Sequence, residues 1–169
     1  MKLSVIVPCR TKNDPQLLEF LGSLRKQSFP QDQLEVLVMT DGNSEQAKAF
    51  GIQKARGEIV ALFCADNVLR DPRFLLSMVW YASQPGITGA YSSQSDHVWE
   101  DKPLSRYFSL MGANDPLCWW LGKSDRHSYL TPGRGGTVRF PDKIPSLGCN
   151  GFFVKRSALD KVVIDPDRH

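Results

Sequence analysis

The sequence predicts an α/β protein with an open, mostly parallel sheet flanked by helices on both faces. Two observations predict it. Residues 3–7 (LSVIV), 34–39 (LEVLVM) and 59–63 (IVALF) are short apolar runs rich in β-branched residues, the composition of strands covered on both faces. Helix signals separate them, so the order reads strand, helix, strand, helix, strand, and crossovers of this length join parallel strands through right-handed βαβ units.

Each element follows from local chemistry. Asp14 can cap and Pro15 can start a first helix, with Leu17, Leu18, Leu21 and Leu24 on one face. A second helix starts near Ser44 and stops at Gly57. Asp71 is placed to cap a third, with Pro72 at its first position and Phe74, Leu75, Met78, Val79 and Ala82 as the buried stripe. Residues 87–91 read as a fourth strand. Beyond them the chain changes character, with helix-like pieces at residues 103–111 and 116–121. A Gly/Pro-rich stretch, residues 122–145, is long enough to be a functional loop or lid. The stretch GCNGFFVKRSAL then reads as a short strand and the start of a helix.

The 169 residues, 41% hydrophobic and 23% charged, suit one globular domain with a substantial core. The net charge of +3 comes from 21 basic and 18 acidic side chains scattered without the stripe that a phosphate backbone requires, so nucleic acid is not an expected partner. Cys9, Cys64, Cys118 and Cys149 lie far apart, without zinc-ligand spacing, and fit a reduced cytosolic setting better than a disulfide framework. No segment has the length of a signal-peptide core or a membrane span, so the expectation is a soluble chain.

Polar groups fall at the carboxyl ends of the first three strands: Pro8, Cys9 and Arg10; the TDGNS of residues 40–44; and the ADN of residues 65–67. Alone, each has an ordinary reading, with Asp41 in an Asx-turn and Ser44 capping a helix. Together they line the sheet edge where open α/β sheets bind ligands. Asp41 can accept hydrogen bonds from a base or ribose. Asp66 can hold a divalent cation bridging two phosphates, with Asn67 as a neutral oxygen or a water-orienting group. No G-x-G-x-x-G or G-x-x-x-x-G-K-[ST] occurs, so a metal must do what those backbone amides would do. Trp119 and Trp120 read as core packing rather than a ligand platform. Lys123, Arg126, Arg134, Arg139 and Lys143 are ordinarily solvated loop charges that could meet an anionic substrate.

Three stretches, LSVIVPCRTKNDPQLLEFLGSLRKQSFP, LEVLVMTDGNSEQAKAFGIQKARGEIVALFCADN and GCNGFFVKRSAL, give the chain a pattern that resembles the family 2 inverting glycosyltransferases of the GT-A fold, a Rossmann-like nucleotide-diphospho-sugar transferase fold. The resemblance implies one GT-A-type domain over residues 1–169, with a nucleotide-binding half at 1–92 and an acceptor-side half at 93–169, and it leaves two readings of the absent catalytic base: a missing C-terminal segment, or a base lost from this chain. It implies that Pro8, Cys9 and Arg10 line the base pocket and that Asp41 contacts the base. Lys48 falls where the family commonly has an arginine near the nucleotide. Asp66 matches the last aspartate of the D-x-D or D-D motif, which holds manganese or magnesium on the donor diphosphate. Gly148, Cys149 and Asn150 fall in the loop bordering donor sugar and acceptor.

The resemblance further implies a nucleotide-diphosphate sugar as donor and a saccharide or polyprenyl phosphate as acceptor. It also implies a cytoplasmic location, with peripheral association at the inner face of the membrane. The departures are specific. Thr40 replaces the first acid of D-D-G-S, Lys48 and Ala49 replace Arg-Asn, and Cys64 and Ala65 stand where earlier acids are expected. The acid pair that supplies the catalytic base has no counterpart before His169, and Asp165 and Asp167 lack its context. No catalytic base is therefore assigned. Two other readings stay open: a catalytically silent nucleotide-sugar-binding module of the same fold, and a nucleotidyltransferase.

Overall fold

The computed structural model describes residues 1–91, 102–103, 131–132, 138–139 and 151–159. Their strands, numbered along the chain, are β1 (Leu3–Pro8), β2 (Leu34–Met39), β3 (Ile59–Leu62), β4 (Gly89–Tyr91), β5 (Thr131–Pro132), β6 (Val138–Arg139) and β7 (Phe152–Lys155). The α-helices are α1 (Pro15–Arg25), α2 (Ser44–Lys54), α3 (Phe74–Ser83) and the single turn α4 (Arg156–Leu159), with a 3-10 turn at Gln31–Gln33 leading into β2. The chain divides into two compact units, Met1–Tyr91 with Cys149–His169, and Ser92–Gly148. In the second unit β5 and β6 form a short antiparallel ladder. The expected helical pieces at 103–111 and 116–121 and most of the 122–145 loop lie outside the described residues.

The first unit holds a five-stranded sheet in the order β2-β1-β3-β7-β4. β1 pairs in parallel with β2 on one edge and β3 on the other, while β7 runs antiparallel to both β3 and β4. The sheet is therefore mostly parallel, as the buried apolar runs predict. The expected short strand in GCNGFFVKRSAL is β7, inserted between β3 and β4.

Side chains alternate across the sheet with period two. Leu3, Val5 and Val7 of β1, Ile59 and Ala61 of β3 and Phe153 of β7 pack with Leu17, Phe20 and Leu24 of α1 and Leu75, Met78, Val79 and Ala82 of α3. On the opposite face Ile6, Met39, Val60 and Val154 pack with Ala47 of α2 and with Ala55 just after it, and Ala158 and Leu159 of α4 join them. Phe63, directly after β3, sits in an aromatic cluster with ring centroids 5.3 Å from Phe20, 6.4 Å from Phe74 and 5.7 Å from Phe153. Such pairs contribute about 0.5–1.5 kcal/mol each beyond burial.

Three expectations are corrected. The buried arc of α1 is Leu17, Phe20, Ser23 and Leu24, while Leu18 is 56% exposed; at about 100° per residue, Leu18 falls outside an arc drawn toward Phe20. α3 begins at Phe74 rather than at Pro72; Asp71 Oδ1 accepts from Arg73 N at 2.9 Å in the turn that leads into it. The fourth strand covers Gly89–Tyr91 only. Among the described residues no helix is long and apolar enough to cross a membrane.

Small residues let α2 approach the sheet. A Cβ on Gly51 would lie 2.3 Å from Ile6 Cγ2 and 3.2 Å from Met39 Cγ. Gly51→Ala is expected to lower stability by about 1–3 kcal/mol through overpacking, read as a lower urea midpoint at an unchanged slope.

At the amino end of the sheet, buried Ser4 donates its hydroxyl to Glu35 Oε2 at 2.5 Å and accepts from Gly57 N at 2.7 Å. Glu35 Oε2 also accepts from Arg56 N at 2.9 Å. Burial raises the Glu35 pKa, but the Ser4 hydroxyl, the Arg56 N–H and the charges of Arg56 and Arg156 together outweigh it and leave the carboxyl below its ordinary value. A carboxylate depressed in the folded state stabilises above its unfolded pKa, about 4.3 for glutamate, and that contribution disappears as pH falls through the folded value. Chemical denaturation between neutral pH and pH 3 is expected to show a flatter acid decline for Glu35→Gln than for the unsubstituted chain.

Candidate functional site

The strand order β2-β1-β3 reverses direction at β1, so the crevice at the carboxyl ends of β1 and β3 is the topological switch point, the usual ligand site of such sheets. Register brings the three expected groups to one end of the sheet. Ile6, Leu37 and Leu62 form a paired row across β1, β2 and β3, and Arg10, Asp41 and Asp66 each lie four residues beyond it. The β1 and β2 ends stay joined past the strands, with Cys9 N bonded to Met39 O at 2.9 Å, and Phe63 N bonds Ile6 O at 3.0 Å. Arg10, Asp41 and Asp66 are all exposed, and Pro8 and Cys9 are half-buried.

Asp41 leaves β2 into a tight turn in which Gly42 has a φ of +77°. The turn is closed by a reciprocal capping box. Asn43 Oδ1 accepts from Gln46 N at 2.9 Å, and Gln46 Oε1 accepts from Asn43 N at 3.0 Å. Asn43, not Ser44, therefore caps α2. The pattern N-x-x-Q ahead of a helix was the signal available in the sequence. Lys48 lies one turn further along α2 and is half-buried.

Asp66 follows β3 in a turn closed by Asn67 N to Cys64 O at 3.3 Å, and Asn67 Nδ2 donates to Asp66 Oδ1 at 3.4 Å. Burial raises the pKa of the Cys9 thiol, and the Asp14 charge adds to it against Lys12 and the Thr11 amide. Cys9 thus presents a neutral thiol, a weak donor beside the strand end. Gly148, Cys149 and Asn150 lie outside the described residues; Gly151, which follows them, donates its N–H to Leu62 O at 2.8 Å, at the carboxyl end of β3.

The donor set bears on a metal. Among the described residues no group of three or more His, Cys, Asp or Glu could hold an ion. One exposed carboxylate beside a carboxamide offers hard oxygen donors, and magnesium-type ions are commonly held by one or two carboxylates together with substrate phosphates. Asp66 fits that mode, with Asn67 as its neighbour; a site built wholly from protein ligands is not what these residues provide.

Two further residues went unread in the sequence. Ser23 and Gln27 of the α1 region hydrogen-bond the connection that carries Asp66. They are polar residues in an apolar helix pattern, and nothing local marks their partners, which lie 44 to 48 residues away.

No sequence-family model matches the chain, and no curated protein matches it. Solved structures do match. S. aureus TarS 1–349 superposes with a TM-score of 0.58 at 15% identity, covering 95% of this chain and 48% of that one. The mannosyltransferase PcManGT from Pyrobaculum calidifontis, solved in complex with GDP-Man and Mn2+, gives a TM-score of 0.57 at 20% identity, covering 95% of this chain and 46% of that one. The chain has the GT-A fold. It spans about half the length of these two structures. Within the GT-A frame the sheet edge bearing Arg10, Asp41 and Asp66 is the candidate site.

The Asp41 turn is the part most exposed to a backbone change. A Cβ on Gly42 would meet Gln46 Oε1 at 2.4 Å and Gln46 Cβ at 2.9 Å, at a φ that L-residues avoid. Gly42→Ala is expected to cost about 1–2 kcal/mol and to speed hydrogen exchange at the Asn43 and Gln46 amides, both measurable by NMR.

Proposed function

We propose that the chain is the donor-binding portion of a metal-dependent, inverting glycosyltransferase of family 2 type. It would transfer a sugar from a nucleotide diphosphate to a saccharide or a polyprenyl phosphate. The observation that carries this reading is that Arg10, Asp41 and Asp66 follow the carboxyl ends of β1, β2 and β3, around the switch point of a GT-A sheet. The likeness to PcManGT, solved with GDP-Man and Mn2+, supports it.

In this reading Pro8, Cys9 and Arg10 line the base pocket, and the Asp41 carboxylate accepts hydrogen bonds from the base. Lys48 supplies positive charge near the nucleotide, and Gly148, Cys149 and Asn150 border the donor sugar and acceptor. Asp66 would hold manganese or magnesium jointly with the donor phosphates, and the ion would offset the charge that develops on the leaving diphosphate. The acceptor oxygen forms a bond to the anomeric carbon as the bond to the diphosphate breaks, with inversion. A hydroxyl acceptor must lose its proton to a carboxylate base; a phosphate acceptor attacks with an oxygen already ionised. Peripheral membrane association and a reduced cytoplasmic setting belong to the same reading.

A silent binding module is favoured by one specific feature, Cys64 and Ala65 in the places of acids. Nucleotide binding without sugar transfer or donor hydrolysis would select it, and release of pyrophosphate would select a nucleotidyltransferase. Calorimetric titration with UDP and GDP, with and without Mn2+, tests the leading reading. Asp41→Ala is expected to weaken nucleotide binding about tenfold, near 1.4 kcal/mol, and Asp66→Ala to abolish the dependence on Mn2+. Binding indifferent to both substitutions, or no binding of either nucleotide, overturns it.

A further inference from the structure

Apart from Ser4 in the amino-end network, the buried polar side chains among the described residues are Ser23 and Gln27, each 5% exposed. They lie one turn apart, at the end of α1 and just beyond it, beside Phe20 and Leu24 in an otherwise apolar layer. Apolar residues would suit that layer better unless the polar atoms are fully bonded.

Both are bonded to the chain that follows β3. The Ser23 hydroxyl donates to Phe20 O at 2.7 Å and accepts from Leu69 N at 3.1 Å. Gln27 Nε2 donates to Asp71 O at 2.9 Å, and Gln27 Oε1 accepts from Leu75 N at 3.1 Å. That last bond satisfies an early N–H of α3, a helix whose own N-cap residue, Arg73, makes no side-chain cap. The adjacent Ser28 N bonds Pro72 O at 2.7 Å.

The consequence falls on Asp66. It lies midway between two anchors, Phe63 N on Ile6 O and Leu69 N on Ser23 Oγ. The first ties the segment to β1 and the second to α1, so neither end can slide along the sheet edge without breaking a bond in the buried layer. A connection held this way limits how much of the chain around Asp66 has to be ordered when an ion binds.

We infer that Ser23 and Gln27 are positioning residues for Asp66, setting the height of the β3–α3 connection at which a divalent cation and a nucleoside diphosphate are met. This rests on the reading of Asp66 as the metal ligand, and the test keeps the two apart.

Mn2+ binding in the presence of UDP or GDP, followed by the EPR signal of free Mn2+, is measured for the full chain and its variants, beside metal-free nucleotide affinity. Hydrogen exchange at the Leu69 and Leu75 amides gives a readout independent of any ligand. Ser23→Ala and Gln27→Met are expected to speed exchange at Leu69 and Leu75 respectively. Each should weaken Mn2+–nucleotide binding about tenfold, the scale of outer-shell effects at metal sites, while metal-free nucleotide affinity stays within about twofold on the same argument. Ser23→Thr, which keeps the hydroxyl, should restore Mn2+ binding. In an Asp66→Ala background neither substitution should weaken Mn2+ binding further, because the coupling runs through that carboxylate.

Wild-type Mn2+ affinity in a folded Ser23→Ala chain with fast Leu69 exchange overturns the inference, as does an equal loss with and without Asp66. Should Gln27→Met fail to fold, Ser23→Ala and its threonine counterpart decide the matter by the same criteria. If Asp66→Ala itself binds Mn2+ like the unsubstituted chain, the metal reading fails, and Ser23 and Gln27 are helix and loop caps only.

Discussion

The pairing of β1 with β2 on one edge and with β3 on the other sets the strand ends from which the segments carrying Arg10, Asp41 and Asp66 continue. Parallel strands present their carboxyl ends on one side, and a shift of one residue in either register would turn the side chains of that strand to the opposite face. Such a shift is strongly opposed here, because both faces of β1 are buried: Leu3, Val5 and Val7 belong to one apolar layer and Ile6 to the other. The strand beneath the candidate site has no solvent-facing side to slip toward.

Polar devices at each end of the sheet then set the connections. At the amino end Ser4, Glu35, Arg56 and Gly57 join β1, β2 and the chain entering β3 through one carboxylate oxygen and one hydroxyl. At the carboxyl end the Asn43–Gln46 box holds the turn after β2, and α1 holds the connection after β3. The aromatic cluster around Phe63 lies directly before the Asp66 turn, and Ala65 packs against the same apolar layer. None of these devices touches the chemistry proposed for the site, yet each limits where an exposed carboxylate can be.

Much of the first unit was legible along the chain. Three apolar runs became β1, β2 and β3, Pro15 began α1 behind the Asp14 cap, and the strand and helix start in GCNGFFVKRSAL became β7 and α4. These are local signals: hydrophobic runs bounded by caps and turn residues act within a few residues of themselves. Errors arose where two local signals competed. Asp71 and Pro72 resemble a helix start but form a turn, and Leu18 shares an apolar spacing with Leu21 while Phe20 claims the core.

The sequence by itself determined most elements of the first unit, the parallel arrangement of its first three strands, and which carboxylates stand just past strand ends. Tertiary structure alone decided that β7 enters between β3 and β4, that β1 pairs with β2 and β3 in the register that brings the ends before Arg10, Asp41 and Asp66 together, and that Ser23 and Gln27 meet a connection far along the chain. The physical reason is range. Capping and periodicity are written into neighbouring residues, whereas register, slot and long-range hydrogen bonds follow from which buried surfaces and unpaired backbone groups find each other once the sheet has closed.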